Sequence, residues 1–586
     1  SFQVYRMLSR YPGSWPARLT FSEDRTTEPI LGPDGSLFFS QDFGGNEKWA
    51  IFCLPQSGGE AERLTMQDGV INRLTHVDSK HYYFSSNQQD SRVFDVYRGP
   101  LKGRPGEYQL FVKNPGINPI EIISCFEDRY YLVREEASSF ESSLHLFDAQ
   151  KIRLTPITSE FSKGRSSRFD QGWFLDAENV LILSDFGRDF LSLGLIAWRN
   201  PLEIRWLEPD QFDTEYIDVN VAGKKIVYTN NRDGYSKLFF GYLDQQNHFH
   251  VRELPLPQDA VIEAGDRRSF SRPLSLNPAG DRVAITLSTP ISPTNVWIFE
   301  LRDQSFGYWK LTEADGAGLR ASDFVRPETS RYMSLNGLKI PFFQFIPKNG
   351  ETPRNGWPCV IWIHGGPEAQ FRPSFNPIIQ FLLAAGFAVV APNVRGSTGY
   401  GRKFSALDDV EKRMDSVTDI KYLAEHLRTE KRINSQKLAL YGASYGGFVV
   451  LAAMTEYPDL FYAAIDIVGI SNFVTFLQNT APWRRHLREK EYGSLTVDRE
   501  LLARISPLNK IQNSVVKTPT LLVHGVNDER VPLSEAEQIY NELKRKGIST
   551  ELISFADEGH GIVKLANKKR LYPAILSFLR QHLTGE

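Results

Sequence analysis

The chain is poor in cysteine and has no long apolar run. Its three cysteines, Cys53, Cys125 and Cys359, each lie within or beside an apolar segment. We therefore expect buried free thiols rather than a disulfide framework or a metal-thiolate site. Apolar runs such as 448–454 fall well short of the roughly 20 residues that a membrane span needs. These absences predict no metal, no cofactor and no membrane partner.

The chain also lacks an excess of either charge. Its 68 Lys and Arg residues nearly balance 70 Asp and Glu residues, for a net charge of −2. This balance gives no electrostatic reason to expect a nucleic acid as partner. The first residues contain no apolar signal-peptide core, although the start at serine suggests that preceding residues have been removed. We expect a cytoplasmic protein and leave open whether it forms homo-oligomers.

No convincing helical pattern occurs before about residue 324, where one pair of short apolar strands recurs instead. The recurrence, at about 45–58 residues, is close to the length of a four-stranded propeller blade. The pairs are 37–40 with 50–54, 82–85 with 94–97, 130–133 with 144–147, 180–183 with 193–196, 226–229 with 238–240, and 283–286 with 296–299. We predict an all-β propeller over residues 1–323 with six to eight blades, seven being preferred, and favour it over a β-sandwich. Residues 1–15 have two expected locations: within the propeller, or packed on the second domain.

From residue 324 to 586, short apolar runs alternate with helical patterns. This rhythm predicts an α/β-hydrolase domain with a doubly wound, mostly parallel sheet. The expected strands are 358–363, 387–391, 437–441, 462–468, 519–524 and 550–555, and the expected helices are 375–385, 415–428, 446–456, 534–546 and 567–583.

The segment Gly442-Ala443-Ser444-Tyr445-Gly446-Gly447 stands between one of these strands and the following helix. A Gly-x-Ser-x-Gly turn in this context is a nucleophile elbow, in which small residues allow the sharp bend that exposes the serine. The sequence therefore predicts that Ser444 is a catalytic nucleophile.

The partners of such a serine follow it in the order acid, then histidine, after later strands. His560 follows strand 550–555, and Asp528 follows strand 519–524. We prefer Asp528 as the acid over Asp466 and Asp557, because its loop can approach His560 from behind. His524, which lies inside an apolar strand, is interpreted as a structural histidine with satisfied hydrogen bonds.

The loop His364-Gly365-Gly366-Pro367 follows strand 358–363 and matches the HGG-type loop of such hydrolases. We expect the backbone N–H groups of Gly366 and Tyr445 to form an oxyanion hole.

The combination of a propeller with these motifs resembles the prolyl oligopeptidase family of serine peptidases, within it the acylaminoacyl-peptidase and dipeptidyl-aminopeptidase branches. The resemblance rests on the HGGP loop and on segments 393–401, 442–447, 524–532 and 558–561. It implies that the propeller covers the site and admits peptides while excluding folded proteins.

The resemblance also implies substrate-binding residues. Arg530 matches an arginine that holds a substrate carbonyl, although it could instead pair with Glu529 or Glu535 in solvent. Ile470, Phe473 and Phe476 lie in a segment like the one that lines the family's S1 pocket, although phenylalanines three apart on a helix are often plain core.

Two features bear on the subtype. Dipeptidyl aminopeptidases of the family bind the free α-amine with a glutamate pair, and Glu135-Glu136 is the one adjacent pair in residues 1–323. We interpret this pair as a solvated loop. The HGGP loop instead resembles that of acylaminoacyl peptidases, which favours blocked or longer peptides.

The sequence thus predicts a serine peptidase that hydrolyses short peptides through an acyl-enzyme, as an acylaminoacyl-peptidase-like exopeptidase or an oligopeptidase. One alternative is a propeller-capped carboxylesterase or amidase for a small molecule, since the same triad cleaves esters. Another is an inert peptide-binding propeller protein, which the complete set of motifs disfavours.

Overall fold

The computed structural model describes residues 3–8, 14–158, 161, 166–262, 272–302, 307–348 and 350–585. The chain divides into two compact units. The first comprises Ser1–Phe43, Glu47–Ser288 and Thr294–Ala314, and the second comprises Gly44–Asn46, Thr289–Pro293 and Asp315–Glu586. The main division, after Ala314, lies close to the change of rhythm at residue 323.

Six four-stranded antiparallel sheets follow one another in the described part of the first unit. A two-stranded sheet, β1 (Tyr5–Arg6) with β2 (Ala17–Arg18), precedes them. The six sheets are β3 (Thr26–Leu31), β4 (Leu37–Gln41), β5 (Ala50–Leu54) and β6 (Glu62–Arg63); β7 (Asn72–Val77), β8 (His81–Asp90), β9 (Val93–Pro100) and β10 (Gln109–Val112); β11 (Ile120–Phe126), β12 (Tyr130–Ser138), β13 (Glu141–Asp148) and β14 (Arg153–Pro156); β15 (Phe169–Phe174), β16 (Asn179–Ser184), β17 (Ser192–Ala197) and β18 (Arg205–Trp206); β19 (Thr214–Asn220), β20 (Lys225–Arg232), β21 (Tyr235–Leu243) and β22 (Phe249–Leu254); and β23 (Leu274–Leu276), β24 (Arg282–Thr289), β25 (Ser292–Glu300) and β26 (Tyr308–Lys310).

Successive sheets pack face to face through shared apolar clusters, as in a propeller. Phe38 of the first sheet and Phe84 of the second belong to one cluster, and Leu132 of the third and Ile182 of the fourth belong to another. The six recurring strand pairs of the sequence are the second and third strands of these sheets. The propeller is confirmed.

The blade count is six in the described residues, at the low end of the expected range, and the preference for seven is wrong there. Strand β26 is the outer strand of the sixth sheet and so adds no seventh blade. The N-terminal segment forms only a two-stranded sheet, and its Val4 and Leu19 pack on the core of the first blade.

The second unit is built on one eight-stranded sheet with the order β27-β28-β30-β29-β31-β32-β33-β34. The first two strands of this order pair antiparallel, β28 is antiparallel to β30, and the remaining strands are parallel. The strands are β27 (Glu328–Met333), β28 (Lys339–Phe345), β29 (Trp357–Ile363), β30 (Ala388–Pro392), β31 (Ile433–Ala443), β32 (Ala463–Ile467), β33 (Thr520–Gly525) and β34 (Thr550–Phe555). The α/β-hydrolase prediction is confirmed, with an antiparallel pair at one edge.

Helices cover this sheet and supply much of the core. They are α1 (Pro377–Ala384), α2 (Arg402–Ser405), α3 (Arg413–Leu427), α4 (Tyr445–Glu456), α5 (Phe473–Asn479), α6 (Pro482–Tyr492), α7 (Arg499–Ile505), α8 (Pro507–Asn513), α9 (Ser534–Arg545) and α10 (Leu565–Leu579), with short 3₁₀ turns at Ala321–Asp323, Leu335–Gly337, Ala406–Asp408 and Val410–Lys412 and a π turn at Arg580–Thr584. The described helices include none long and apolar enough to cross a membrane.

Parallel pairing brings the carboxyl ends of β29, β31, β33 and β34 to one edge of the sheet. The loops that leave these strands carry Gly366, Ser444, Asp528 and His560 respectively. The topology therefore gathers residues that are far apart in the sequence.

The three cysteines are free, as expected, but only Cys359 is fully buried.

Candidate active site

Ser444 lies between the end of β31 and the start of α4 in a strained backbone conformation. Its φ of 57° and ψ of −118° fall where a residue with a side chain is rarely found. Its N–H donates to the carbonyl oxygen of Ile467 on the neighbouring strand, at 2.8 Å. A Cβ atom on Gly442 would lie 2.2 Å from the Gly446 carbonyl oxygen, so the elbow needs glycine there. The half-buried serine is therefore held at a sharp turn, as the motif predicts.

His560 lies between Ser444 and Asp528. Its Nε2 is 3.0 Å from Ser444 Oγ, and its Nδ1 is 2.7 Å from Asp528 Oδ2. The Asp528 side chain is fully buried, whereas that of His560 is 17% exposed. This arrangement allows Nδ1–H to donate to the carboxylate, which leaves the Nε2 lone pair facing the serine hydroxyl.

The carboxylate of Asp528 is fixed by its own loop. Its Oδ1 accepts hydrogen bonds from the backbone N–H groups of Arg530, at 2.8 Å, and Val531, at 3.0 Å. Its other oxygen is thereby directed at His560. Arg530, which sequence reasoning linked to substrate, thus also orients the carboxylate through its backbone.

His524 lies beneath the same loop. Its Nε2 is 2.9 Å from the carbonyl oxygen of Val531, which can only accept, so we assign the proton to Nε2. Burial lowers the pKa of His524, which favours the neutral ring. Its Nδ1 has no hydrogen-bond partner among the described residues, so the interpretation as a satisfied structural histidine holds for one nitrogen only.

The two rival acids lie elsewhere. Asp557 is bound at the surface, with Lys564 Nζ at 3.0 Å and Asn567 Nδ2 at 3.0 Å. Asp466 lies under the elbow, where a Cβ atom on Gly447 would approach its Oδ1 to 2.2 Å. Burial raises the pKa of Asp466 to about 7. Of the three acids weighed, Asp528 is the one hydrogen-bonded to His560 Nδ1.

The loop after β29 contacts the elbow directly. A Cβ atom on Gly365 would lie 2.7 Å from the Ala443 carbonyl oxygen and 3.4 Å from Ser444 Cβ. The loop is anchored by His364, whose Nε2 is 2.9 Å from Ser397 Oγ. Because burial lowers the pKa of His364 to about 4, this contact is between neutral groups. Gly366, with a φ of +65°, follows in the same loop.

Tyr445 is the first residue of α4, so its N–H has no acceptor within the helix. Its side chain is buried, and its hydroxyl contacts Asp408 Oδ2 at 2.8 Å and Ser416 Oγ at 2.7 Å. Sequence reasoning missed these partners. The sequence contains one weak signal of such a cluster. Arg413 lies at helical spacing from the apolar residues Val417 and Ile420, and a charged residue on the apolar side of a helix needs a buried partner.

The candidate pocket residues belong to the core of the second unit. Ile470, Phe473 and Phe476 are at most 3% exposed. The ring of Phe473 packs 4.7 Å from that of Phe448, and the ring of Phe476 packs 5.9 Å from that of Tyr492. These contacts suit a core residue as well as the inner wall of a pocket, so the pocket role stays a prediction.

Glu535 orders the start of this segment. The carboxylate is fully buried and accepts the N–H groups of Ser471, at 3.1 Å, and Asn472, at 2.8 Å. The alternative in which Glu535 pairs with Arg530 in solvent is therefore wrong.

Glu135 and Glu136 are not in a solvated loop, contrary to expectation. Both lie in strand β12, where they pair in register with Ser143 and Ser142. Glu135 contacts His145 Nε2 at 2.8 Å and accepts from Asn118 Nδ2 at 2.7 Å. Strand β12 continues beyond its apolar residues 130–133 because its antiparallel pairing with β13 extends to Glu135 and Glu136.

Three carboxylates, those of Asp408, Asp409 and Glu491, lie close enough together to share a metal ion. The guanidinium of Arg413 contacts two of them, with its Nη1 2.5 Å from Asp408 Oδ2 and its Nη2 against Glu491. A cation is thus already present in this cluster, which disfavours a second one.

The sequence was compared with those of known proteins. The model of the prolyl oligopeptidase family matches residues 373–586. Dipeptidyl aminopeptidase BIII of Pseudoxanthomonas mexicana is 34% identical over 596 residues, which cover 94% of this chain and 79% of that protein. The acylamino-acid-releasing enzyme of Rattus norvegicus is 28% identical over 317 residues, which cover 52% of this chain and 43% of that enzyme. The first similarity extends over both units.

The fold was compared with solved structures. A structure from a study of two prolyl endopeptidases has a TM-score of 0.85 at 18% identity, covering 98% of this chain and 85% of the other. A puromycin-hydrolysing peptidase of Mycobacterium tuberculosis has a TM-score of 0.80 at 19% identity, covering 97% and 90%. At these identities the likeness supports the two-domain fold.

Proposed function

Because the chain belongs to the prolyl oligopeptidase family and is a serine peptidase, we propose that Ser444 is its nucleophile, His560 its general base and Asp528 the carboxylate that orients His560. The observation that carries this proposal is the continuous hydrogen-bonded chain from Asp528 through His560 to Ser444, with contacts of 2.7 and 3.0 Å. Each group is within the reach that proton transfer requires.

In the proposed reaction, Ser444 Oγ bonds to the scissile carbonyl carbon while its proton passes to His560 Nε2. The carbonyl π electrons move to oxygen, and the resulting oxyanion is neutralised when the C–N bond breaks. His560 delivers its proton to the departing amine, which leaves an acyl-enzyme. A water molecule then loses a proton to His560 while its oxygen bonds to the ester carbonyl carbon; the C–Oγ bond breaks, His560 returns the proton to Ser444 Oγ, and the acid is released. Asp528 stays ionised and stabilises the imidazolium.

We assign the oxyanion hole to the backbone N–H groups of Gly366 and Tyr445. The contact of Gly365 with the elbow supports this assignment, because a Cβ atom on Gly365 would lie 3.4 Å from Ser444 Cβ and Gly366 is the next residue of the same loop. Tyr445 supports it by its position, since the first N–H of a helix is free to bind an external acceptor.

Substrate binding is proposed for Arg530 and for the segment that carries Ile470, Phe473 and Phe476. Arg530 is two residues from Asp528, and a guanidinium offers several donors to a substrate carbonyl. The apolar side chains would form the inner wall of an S1 pocket. Glu535 would hold that wall in place, since it binds the two backbone N–H groups between Ile470 and Phe473.

The proposed substrates are short peptides, cleaved by an exopeptidase or oligopeptidase. Dipeptidyl aminopeptidase BIII is similar over 79% of its own length, whereas the similarity to the acylamino-acid-releasing enzyme covers about half of this chain. The names of these relatives therefore favour peptide substrates with a free N-terminus, whereas the HGGP loop favours substrates with a blocked N-terminus. We also propose a cytoplasmic location, because the cysteines are few, and leave open whether the chain forms homo-oligomers.

A panel of substrates tests this assignment. It contains dipeptide p-nitroanilides with free and acetylated N-termini, internally quenched peptides of increasing length, and p-nitrophenyl esters. Turnover of the peptide substrates is expected of a peptidase, whereas the more reactive p-nitrophenyl esters can be cleaved by a peptidase or an esterase and therefore do not by themselves distinguish the two. Turnover of esters with no turnover of any peptide would instead favour the carboxylesterase alternative.

A dipeptidyl aminopeptidase activity is the second candidate. It would require an anion that binds the α-amine, and Glu135 and Glu136 are the residues that the family resemblance offers. Glu135→Gln and Glu136→Gln should then raise KM for free-amine dipeptides but not for acetylated ones. Glu62→Gln, at an exposed position of β6, is the control. An equal effect on both substrate types would contradict an amine-binding role.

A further inference from the structure

A cluster of buried polar side chains lies behind the nucleophile elbow, and none of these side chains takes part in the reaction as proposed. It consists of Asp408, Arg413, Ser416, Tyr445 and Glu491, all at most 5% exposed. They come from the 3₁₀ turn 406–408, from α3, from the start of α4 and from the end of α6. The cluster thus joins three separate parts of the chain to the residue that follows Ser444.

Arg413 is the centre of this cluster. Its Nη1 donates to Asp408 Oδ2 at 2.5 Å, and its Nη2 donates to the Glu491 backbone oxygen at 2.8 Å and to the Glu491 carboxylate. The guanidinium carbon also lies 5.2 Å from the centre of the Tyr445 ring and 5.0 Å from that of Tyr492. Planar guanidinium groups combine bidentate bonds with stacking, which a lysine could not reproduce.

Tyr445 is held at both ends of its side chain. Its hydroxyl donates to Asp408 Oδ2 at 2.8 Å and lies 2.7 Å from Ser416 Oγ. Its ring packs against Phe448, at 5.6 Å between centroids, and against the guanidinium of Arg413. A side chain fixed at the ring and at the hydroxyl leaves little freedom to the Cα atom and therefore to the adjoining backbone N–H.

Such a clamp is costly to build. Arg413 carries one positive charge beside two carboxyl groups, and burial raises the pKa of Asp408 to about 7 and the pKa of Glu491 well above its usual value. Buried ionic groups of this kind seldom stabilise a fold more than apolar residues of the same size would. Stability alone therefore does not account for the cluster, whereas precise geometry next to a strained serine would.

We propose that Arg413, Asp408 and Ser416 are positioning residues that clamp the Tyr445 side chain and so aim the Tyr445 N–H at the oxyanion. This inference rests on the proposed role of Ser444 and of the Tyr445 N–H. None of the three clamping residues touches the substrate in this scheme; they act through Tyr445. The clamp serves the transition state, because the oxyanion forms only there.

The test removes the phenol oxygen alone. Tyr445→Phe keeps the ring and deletes the bonds to Asp408 and Ser416. We expect kcat to fall about tenfold, part of the 10²–10³-fold that loss of an entire oxyanion donor typically costs, while KM stays within about twofold. The inhibition constant of a peptide boronic acid, which forms a tetrahedral adduct on the serine, should rise by the same factor as kcat falls.

Tyr332→Phe is the matched control. Tyr332 is a buried tyrosine of the same unit, on the edge strand β27, and its hydroxyl donates to the Asp419 backbone oxygen at 2.9 Å. Its loss should lower the melting temperature and leave kcat and the boronate constant unchanged. Rates are expressed per active site, so that unfolded protein does not enter the comparison.

A Tyr445→Phe enzyme that melts earlier but keeps kcat and boronate affinity would overturn the inference, because the cluster would then be structural only. If Tyr445→Phe does not fold, Asp408→Asn takes its place, since it keeps the shape of the side chain and weakens the bond to Tyr445; the same expectations and the same refutation apply. Ser444→Ala separates the two proposals. An inactive Ser444→Ala with an unaffected Tyr445→Phe defeats the clamp alone, whereas an active Ser444→Ala defeats the proposed function and the clamp with it.

Discussion

The Asp528→Asn substitution tests the proposed triad most directly, because the structure dictates how the new amide must lie. Oδ1 of Asp528 accepts two backbone N–H groups, from Arg530 at 2.8 Å and Val531 at 3.0 Å. An amide nitrogen at that position would face two donors and lose both bonds. The asparagine will therefore keep its oxygen there and present its NH₂ group to His560.

This orientation inverts the tautomer of His560. An NH₂ group 2.7 Å from Nδ1, the distance now held by Oδ2, requires that Nδ1 accept and that Nε2 carry the proton. Nε2–H would then point at Ser444 Oγ, 3.0 Å away, and could not take the serine proton. The expected loss in kcat is about 10⁴-fold, or about 5.4 kcal/mol of activation free energy at 1.36 kcal/mol per factor of ten.

The assay is single-turnover acylation by a p-nitroanilide or p-nitrophenyl substrate, with KM and the melting temperature measured in parallel. KM should change little, because Asp528 does not contact the substrate in the proposed mechanism. Asp557→Asn is the control, since its ion pair with Lys564 is partly exposed, at 53% and 22% of the side chains, and contributes little. The reasoning is refuted if Asp528→Asn retains more than about a tenth of the wild-type kcat, since about a ten-thousandth is expected. A loss in Asp557→Asn comparable to that of Asp528→Asn would also refute it.

Further outcomes follow from the same geometry. Ser444→Ala and His560→Ala should each lower kcat at least about 10⁴-fold with the fold intact by circular dichroism, since triad members act as a unit; turnover by either would contradict the assignment. Burial raises the pKa of Asp466 from 3.8 to about 7, so this carboxyl binds a proton more tightly in the folded chain than in the unfolded chain. Its contribution to the free energy of unfolding therefore falls as the pH rises between these two values. Asp466→Asn should flatten the pH dependence of the melting temperature there, and an unchanged slope would contradict the shift. EDTA should leave activity unchanged because Arg413 already supplies the cation among the clustered carboxylates, whereas a loss that zinc reverses would reveal a metal site. If the propeller restricts access, as the family resemblance implies, kcat/KM per bond should be far lower for casein than for a hexapeptide; equal values would exclude a filter.

Local pattern was enough to place the elbow. Gly442, Ser444 and Gly446 lie between a strand and a helix in the sequence as in the structure, because the turn depends on small residues only a few positions apart. The propeller could also be predicted from the sequence, since each of its sheets repeats the same pair of short strands. Such features repeat at short intervals along the chain, so they can be recognised in the sequence alone.

Residues whose role depends on distant partners were harder to assign. Asp466, Asp528 and Asp557 all follow strands, so the sequence offers three acids for one histidine. The structure brings only Asp528, of these three, to His560 Nδ1, since its own loop turns the carboxylate in that direction. The preference for Asp528, made because its loop can approach His560 from behind, agrees with this contact, but the carboxylate is turned toward His560 by two backbone bonds to Oδ1 that no spacing reveals.

Other features escaped the sequence altogether. Helices α6 to α8 are short and interrupted, and α6 carries several arginines, so no clear period indicates them. Glu135 and Glu136 were interpreted as a loop because charge usually marks solvent, yet pairing with β13 keeps them in a strand. The preference for a seventh blade failed in the described residues because strand β26 completes the sixth sheet instead.

The sequence by itself determined the two-domain architecture, the elbow and the types of residue that could serve Ser444, because these depend on short-range periodicity and steric need. Tertiary structure alone decided which acid meets His560, and it alone revealed that Arg413 lies buried against Tyr445. The physical reason is the same in both cases. A hydrogen bond or a buried ion pair depends on distances of about 3 Å between groups, and such distances across 30 to 120 positions of chain are set by how strands and helices pack, not by the order in which residues occur.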